Sequence, residues 1–480
     1  MRRASSTHTR GHSAASQLDL ESLKFASPRP FWLDDPEAPP CCEALVEDDR
    51  CELAVVGGGY TGLWTALLAK QENPGLDVSL LEATSVGGSA SGRNGGFCSV
   101  SLTHGFANGL RKFPQEMPQL ERLGFENLDE IERSVQQLGI DCDFERTGIL
   151  HVATEPHQVE GLPALAEELT RFGHQVVLLD EEATRRELDS PTYRAALWDK
   201  NATALVNPAR LAWGLKGACA QAGVRIYENT PVLAIRRSGR QLRLQTPYAS
   251  MFAHQVVLGT NAYPPLVRRL RRYIVPVYDY ALMTEPLDDA QLASVGWSGR
   301  QGVDDMGNQF HYYRLSKDNR VHFGGFDAVY HFGSSFRSEL EQRPATFARL
   351  ARHFFATFPQ LEGLRFTHAW GGAIDTCSRL FAFHGRSHAG DVTYAIGFTG
   401  LGVAASHFSA RLMLDLLAGE PTERTRLAAP QARPFPFPPE PFRFLTIQLT
   451  QWSLARADRN AGRRNLWLRL LDREGIGFDT

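Results

Sequence analysis

The sequence predicts a two-lobed α/β architecture: one lobe assembled from separated stretches of chain around a β-α-β unit, the other a mixed, largely antiparallel β-sheet. Three observations predict it. An apolar run in "ELAVVGGGYTGLWTALLAK", residues 52–70, stops at Gly57, gives way to consecutive glycines and resumes with helical character. A strand, a glycine turn and a helix recur far downstream in "VTYAIGFTGLGVAASHFSARLMLDLLAGE". Between them, residues 273–333 turn β-rich and aromatic, as in "YIVPVYDYALMTEPL" and "FHYYRLSKDNRVHFGGFDAVY", a change of composition that marks a second lobe.

Composition sets the outer bounds. At 480 residues the chain exceeds what one hydrophobic core normally serves. With 43% apolar and 22% charged residues it has the make-up of an ordinary globular protein. A formal net charge of −3 and the lack of any long Lys/Arg run exclude the electrostatic footprint of nucleic-acid binding. No membrane span is expected, because the best apolar stretch, residues 53–69, is broken by Gly57, Gly58, Gly59 and Gly62. The seven cysteines, Cys41, Cys42, Cys51, Cys98, Cys142, Cys219 and Cys377, form no CxxC pair and no zinc-spaced set. That pattern argues against a disulfide framework and a structural metal and for a reducing, cytoplasmic setting. Residues 1–17 carry three Arg and no acid, a composition compatible with a transit peptide or, through Arg2 and Arg3, a twin-arginine signal. No apolar segment follows, which favours a disordered tail.

The elements follow in order. Residues 1–22 are expected to be that tail, and 23–50, with Pro-rich "PRPFWLDDPEAPPCC", an arm lying on the body. Residues 51–135 open the first lobe with a strand over 52–56, a helix over 60–72 and a second strand, "DVSLLE", ending at Glu82. Helical periodicity over 115–138 and 160–172 brackets the alternating strand "GILHVAT", and 136–200 are assigned to the second lobe. In 201–265, assigned to the first lobe, Asn207 reads as an N-cap and Pro208 as the first helical residue, where a missing N–H costs nothing. Residues 266–365 form the body of the second lobe, with a helix over 338–357. Residues 366–420 return to the first lobe, and 421–480 form a C-terminal tail packed on the body.

Gly57, Gly59 and Gly62 fit G-x-G-x-x-G, placed after a strand and at the start of a helix. The glycines permit a tight turn and close backbone approach, while the helix N-terminus offers unpaired N–H groups to a pyrophosphate. Glu82, about 20 residues on, is placed to accept hydrogen bonds from ribose hydroxyls. Strand, glycines, helix and acid together read as a Rossmann-like dinucleotide site. A second glycine-rich loop, "GGSASGRNGGF", just past the acid carries Ser91, Arg93 and Asn94. A simple NAD dehydrogenase has no need of it, so FAD is the expected dinucleotide.

With "VVGGGYTGLWTAL", "SASGRNGGF", "DCDFERTGILHVAT", "VVLGTNAYPP" and "HAWGGAIDT", the chain resembles the FAD-dependent oxidoreductases of the D-amino-acid oxidase superfamily, and within them the gamma-glutamylputrescine oxidoreductase type. The resemblance implies an FAD-binding lobe built from discontinuous segments and a mixed β-sheet substrate lobe. It implies FAD held without a covalent bond by Gly57, Gly59, Tyr60, Thr61, Gly62, Glu82, Ser91, Arg93, Asn94, Gly95, Val232, Gly371, Gly400, Leu401, Gly402 and Val403. Val232 would reach adenine through its backbone, and Gly400, Leu401 and Gly402 would open a helix beside the flavin pyrimidine edge, stabilising its reduced form. The family commonly carries His where this chain has Leu401. No second strand-linked G-x-G-x-x-G is present for a nicotinamide, so electrons are expected from a small-molecule amine and reoxidation by oxygen or another acceptor.

The expected catalytic set is His104, Arg314, Tyr280 and Trp370. Arg314 would grip a substrate carboxylate, or else is an exposed strand residue paired with Asp318 or Glu285. Tyr278 and Tyr280 form an amine-binding wall or plain sheet packing. His104 would accept a proton from a substrate ammonium, or is a helix-end residue. Trp370 floors the site or belongs to the core. Asp279, Asp304 and Asp305 would attract a polyamine, or are simply solvated. Cys377 reads as a buried free thiol.

Overall fold

The computed structural model describes residues 17–476. Its framework runs β1 (Asp49–Val56), α1 (Tyr60–Glu72), β2 (Val78–Leu81), α2 (Met117–Gln137), α3 (Pro208–Gln221), β3 (Ile274–Thr284), β4 (His311–Leu315), β5 (Val321–Gly325), α4 (Pro344–Thr357), β6 (Phe366–Cys377) and α5 (Ala405–Ala418).

The first sheet has eight strands. Its middle is parallel: β1 lies between β2 and Ser250–Leu258, with Val55 paired to Leu80 on one side and to Val257 on the other. Strands buried on both faces read as unbroken apolar runs, and the last four residues of β1 are all buried. For the same reason α1 has no polar stripe: residues 60–69 are all buried, pressed between this sheet and the flanking α3 and α5. The Asn207 side chain accepts from the Arg210 N–H and caps α3 with Pro208 at its first turn, as expected from sequence.

The second sheet has nine strands and is built on β3, which pairs with β5 and, over its whole length, with β6. Side chains alternate along β3. Tyr278, Tyr280 and Leu282 face the core beneath α4, with Phe347, Leu350 and Phe354. Ala281 and Met283 face the other way, with Trp370, Trp32 and Ala209.

Two expected boundaries differ. Residues 366–377 were assigned to the first lobe, yet β6 is a strand of the second sheet, because its whole length is hydrogen-bonded to β3. Of the expected tail, residues 1–16 lie outside the described residues, and Gln17–Ser22 is a helix packed on α4. It is anchored by Leu23 and Ala26 against the second lobe's core. The C-terminal segment is largely helical, over Phe442–Asp458 and Leu466–Arg473. It is seated by Phe437, Phe444 and Ile447 on Val275, Val277 and Tyr330. Among the described residues, no helix is long and apolar enough to cross a membrane.

Candidate functional site

The turn from β1 into α1 has no room for side chains. Gly57 holds φ +107, and a Cβ there would lie 2.6 Å from the Gly259 carbonyl oxygen. A Cβ at Gly62 would lie 1.9 Å from the oxygen of Gly57. The N–H groups of Gly59, Thr61 and Gly62 meet no acceptor among the described residues, leaving a helix N-terminus with unspent donors. Glu82 stands over the turn: its Oε2 accepts the Gly58 N–H at 2.6 Å and its Oε1 the Thr84 N–H at 2.9 Å. The N–H of Val232 also lacks an acceptor among the described residues, on the loop that follows the neighbouring strand Arg225–Tyr227. A tight glycine cradle, orphan donors and a carboxylate one strand away fit the pyrophosphate, ribose and adenine of a dinucleotide.

The second glycine loop is braced from within. Ser91 Oγ accepts the Tyr60 N–H at 3.0 Å, tying the loop to the start of α1. The Asn94 amide donates to the carbonyls of Ala90 and Ser91, and its oxygen accepts the Gly96 N–H, so this side chain shapes the loop itself. The Arg93 guanidinium donates to Gly88 O and pairs with Glu341 at 2.6 Å. The Tyr60 hydroxyl donates to Pro208 O, which makes it a tie to α3.

The third loop, 397–403, is fixed by a residue that sequence reasoning missed. Asp375, on β6, is fully buried and accepts the N–H groups of Gly397 and Phe398 at 2.5 and 3.1 Å. Burial pushes its carboxyl up to about 7, against these hydrogen bonds. The sequence signal is a lone acid inside a glycine-containing strand, Phe366–Cys377. Gly400 has φ +97, and α5 begins three residues beyond Gly402, at Ala405. His104 Nε2 lies 2.9 Å from Thr399 O, which places the imidazole against this loop. Burial pulls His104 down to about 4, so it is neutral at pH 7. The Cys377 thiol is buried, within hydrogen-bond distance of Phe381 O and Gly397 O.

The second lobe meets these loops along one face of its sheet. Trp370 Nε1 donates to Arg93 O at 3.0 Å. A Cβ at Gly95 would strike the Tyr312 ring at 2.8 Å, and one at Gly372 would lie 3.8 Å from Arg93 Cδ. Trp370 is 2% exposed and packs in the core with Trp32, so it joins the lobes as well as backing the site.

Two expected residues are elsewhere. Tyr280 lies on the α4 side of β3, opposite to Trp370, and donates its hydroxyl to Leu340 O; it is sheet packing, because strand alternation turns it away. Tyr278, on the same side, donates to Arg337 O. Arg314 is 1% exposed, and its guanidinium donates to Val206 O at 2.7 Å and to Leu315 O while facing the Trp32 ring. Burial lowers it to about 10, and its Nε and Nη1 are taken by backbone carbonyls at the seam between lobes. Neither expected rival holds, since Asp318 pairs with Arg320 and Glu285 with Arg365. Asp304 and Asp305 pair with His151 and His311.

A family model described as FAD dependent oxidoreductase (DAO) matches residues 52–416. Gamma-glutamylputrescine oxidoreductase of Escherichia coli is 32% identical over 407 residues, covering 82% of this chain and 90% of that relative. A probable oxidoreductase, OrdL, of Haemophilus influenzae is 28% identical over 78% of this chain and 85% of its own length. Among solved structures, glycine oxidase from Geobacillus kaustophilus superposes with a TM-score of 0.66 at 19% identity, over 78% of this chain and 96% of that one. L-proline dehydrogenase from P. horikoshii gives 0.63 at 19%, over 78% and 95%.

Proposed function

The chain belongs to the DAO family of FAD-dependent oxidoreductases acting on amines and amino acids, and from that premise we propose that it oxidises the carbon bearing the nitrogen of a primary or secondary amine to an imine. The observation that carries this reading is the meeting of the two lobes. The glycine loops of the first lobe lie against the face of the second sheet that carries Trp370 and Tyr312, through the Trp370–Arg93 bond and the Tyr312–Gly95 contact.

FAD supplies the hydride acceptor at its N5. The substrate gives up a hydride from its α-carbon and a proton from its nitrogen, forming the C=N bond; water then releases an aldehyde or keto acid and an amine. The electrons leave to oxygen, giving hydrogen peroxide, or to another acceptor. What the chain's own residues contribute is placement. Gly57, Gly62 and the start of α1 hold the pyrophosphate, Glu82 the ribose, and the loop fixed by Asp375 the pyrimidine edge, where the donor-bearing start of α5 favours negative charge. Neutral His104, resting on that loop through Thr399 O, is the imidazole we assign to the departing proton.

The test is an anaerobic titration of the holoenzyme with primary amines, N-methyl amino acids and D-amino acids, following flavin absorbance. Bleaching by one class establishes the reaction; persistence of the oxidised spectrum with every donor overturns it.

A further inference from the structure

We infer that Asp279 is the substrate-ammonium anchor and that the substrate is a cationic amine without an α-carboxylate; this rests on the amine-oxidation reading above. Asp279 lies on β3 on the same face as Trp370, directly across from Gly372 on β6. It is half-buried. One carboxylate oxygen accepts the Tyr312 hydroxyl at 2.7 Å, and the other accepts the Tyr280 backbone N–H at 2.8 Å. Tyr312 is held in turn by stacking on His322, ring centroids 5.7 Å apart, and by the edge of Phe97. With glycine at 372 beside Asp279 and glycine at 324 beneath the Tyr312 ring, the sheet is lowered around this carboxylate.

The charges on this face decide the ligand. Among the described residues, no Lys or Arg forms an ion pair with Asp279. The guanidiniums of this face are engaged elsewhere, Arg93 with Glu341 and Arg314, through Nε and Nη1, with backbone carbonyls. His322 is fully buried, neither ring nitrogen has a hydrogen-bond partner among the described residues, and burial holds it down to about 3, so it is neutral. The face therefore offers a carboxylate without an ion-pair partner, while its guanidinium, Arg314, keeps its charge but is 1% exposed and out of a ligand's reach. An ammonium is attracted to the carboxylate, and an amino acid's carboxylate is repelled by it and finds no exposed guanidinium to grip it. The groups facing Asp279 are Tyr312 from β4, the backbone N–H groups of Tyr280 and Gly325, and Asp327 beyond β5, which is itself paired with Arg343 and Arg349; Arg93, paired with Glu341, comes near across Gly372. Burial pushes Asp279 up to about 6, so its attraction for a cation strengthens as pH rises through that value.

Two probes of one shape isolate this step from turnover. tert-Butylamine and 2-aminoisobutyrate differ by a carboxylate in place of a methyl, and neither has a hydrogen on the α-carbon to be removed. Calorimetric titration of the wild-type holoenzyme is expected to show tert-butylamine binding at least about tenfold more tightly than 2-aminoisobutyrate. D279N, loaded with flavin to the wild-type level, is expected to lose about 10- to 100-fold in tert-butylamine affinity and its pH dependence near 6, while D279E retains part of both. Equal or tighter binding of 2-aminoisobutyrate, no binding of tert-butylamine, or unchanged affinity in D279N overturns the assignment. Flavin reduction by n-butylamine is read separately. If tert-butylamine binds through Asp279 while n-butylamine and other donors never bleach the flavin, the amine-oxidation reading falls and the cation site stands.

Discussion

Gly62 admits no methyl group, since a Cβ would sit 1.9 Å from the Gly57 oxygen and both atoms belong to backbone that cannot swing aside. Gly62→Ala must push α1 off β1, an overpacking that costs about 3 kcal/mol. The expected outcome is a lowered thermal midpoint and a purified protein stripped of most of its flavin; full flavin content per chain would show that the turn is looser than the geometry requires. Glu82→Gln asks less of the fold, because an amide oxygen still accepts the Gly58 N–H, though the Thr84 N–H loses its acceptor. It removes the charge from the hydrogen bonds meant for ribose, and FAD should dissociate about tenfold more readily, read by recovery of free-flavin fluorescence on dilution. Both positions were legible because a spacing rule and a physical need coincide there. Asn94 was legible as a polar loop residue but its role was not, since whether an amide serves a ligand or its own loop depends on where Ala90, Ser91 and Gly96 end up. Asp279 and Arg314 were both visible, but alternation fixes which residues share a face without saying that Arg314 is buried with its Nε and Nη1 on backbone carbonyls.

The N-terminal arm shows the same limit at the level of elements. Its composition marks an extended segment, but not that it straps the first lobe to the cofactor loops. Lys216 on α3 donates to Pro40 O at 2.8 Å and to Glu228 at 2.6 Å, and Glu228 also accepts the N–H groups of Cys42 and Val86. Val86 leads into the second glycine loop. Burial alone would raise the Glu228 carboxyl, yet Lys216 and the two N–H groups hold it below its ordinary range. Glu228 is 1% exposed, so Lys216→Met leaves a buried carboxylate without its cation, at a cost of about 3–5 kcal/mol. The urea midpoint should fall accordingly, and the double variant with Glu228→Gln should recover much of the loss; equal stability of the single variant and wild type would mean that the pair is dispensable. The segment 366–377 was misassigned for a related reason. Its pattern reads as a strand next to a glycine turn, and the sheet it joins is decided by β3, about ninety residues earlier.

For the whole molecule, the question is what holds one lobe on the other, and the buried His174 is one answer that pH can interrogate. Its Nδ1 lies 2.5 Å from Asp199, at the end of a strand of the second sheet, and its Nε2 3.1 Å from Glu121 on α2, whose Leu128, Ile131 and Val135 belong to the first lobe's core. Burial by itself would lower the imidazole, but the two carboxylates more than offset it and raise His174 to about 9. A group whose folded-state value is raised stabilises fully below its unfolded value, near 6.5, and that stability drains away as pH climbs through 9. A shift of this size corresponds to about 3 kcal/mol at most. Wild-type stability measured by urea unfolding should therefore decline between about pH 6.5 and 9, and His174→Gln should lower stability at the acid end while removing this part of the slope. Parallel slopes for the two proteins would place the junction's strength elsewhere, in the Trp32–Trp370 packing and the carbonyls held by Arg314. A steeper wild-type slope ties the seating of the substrate sheet over the flavin loops to a single proton.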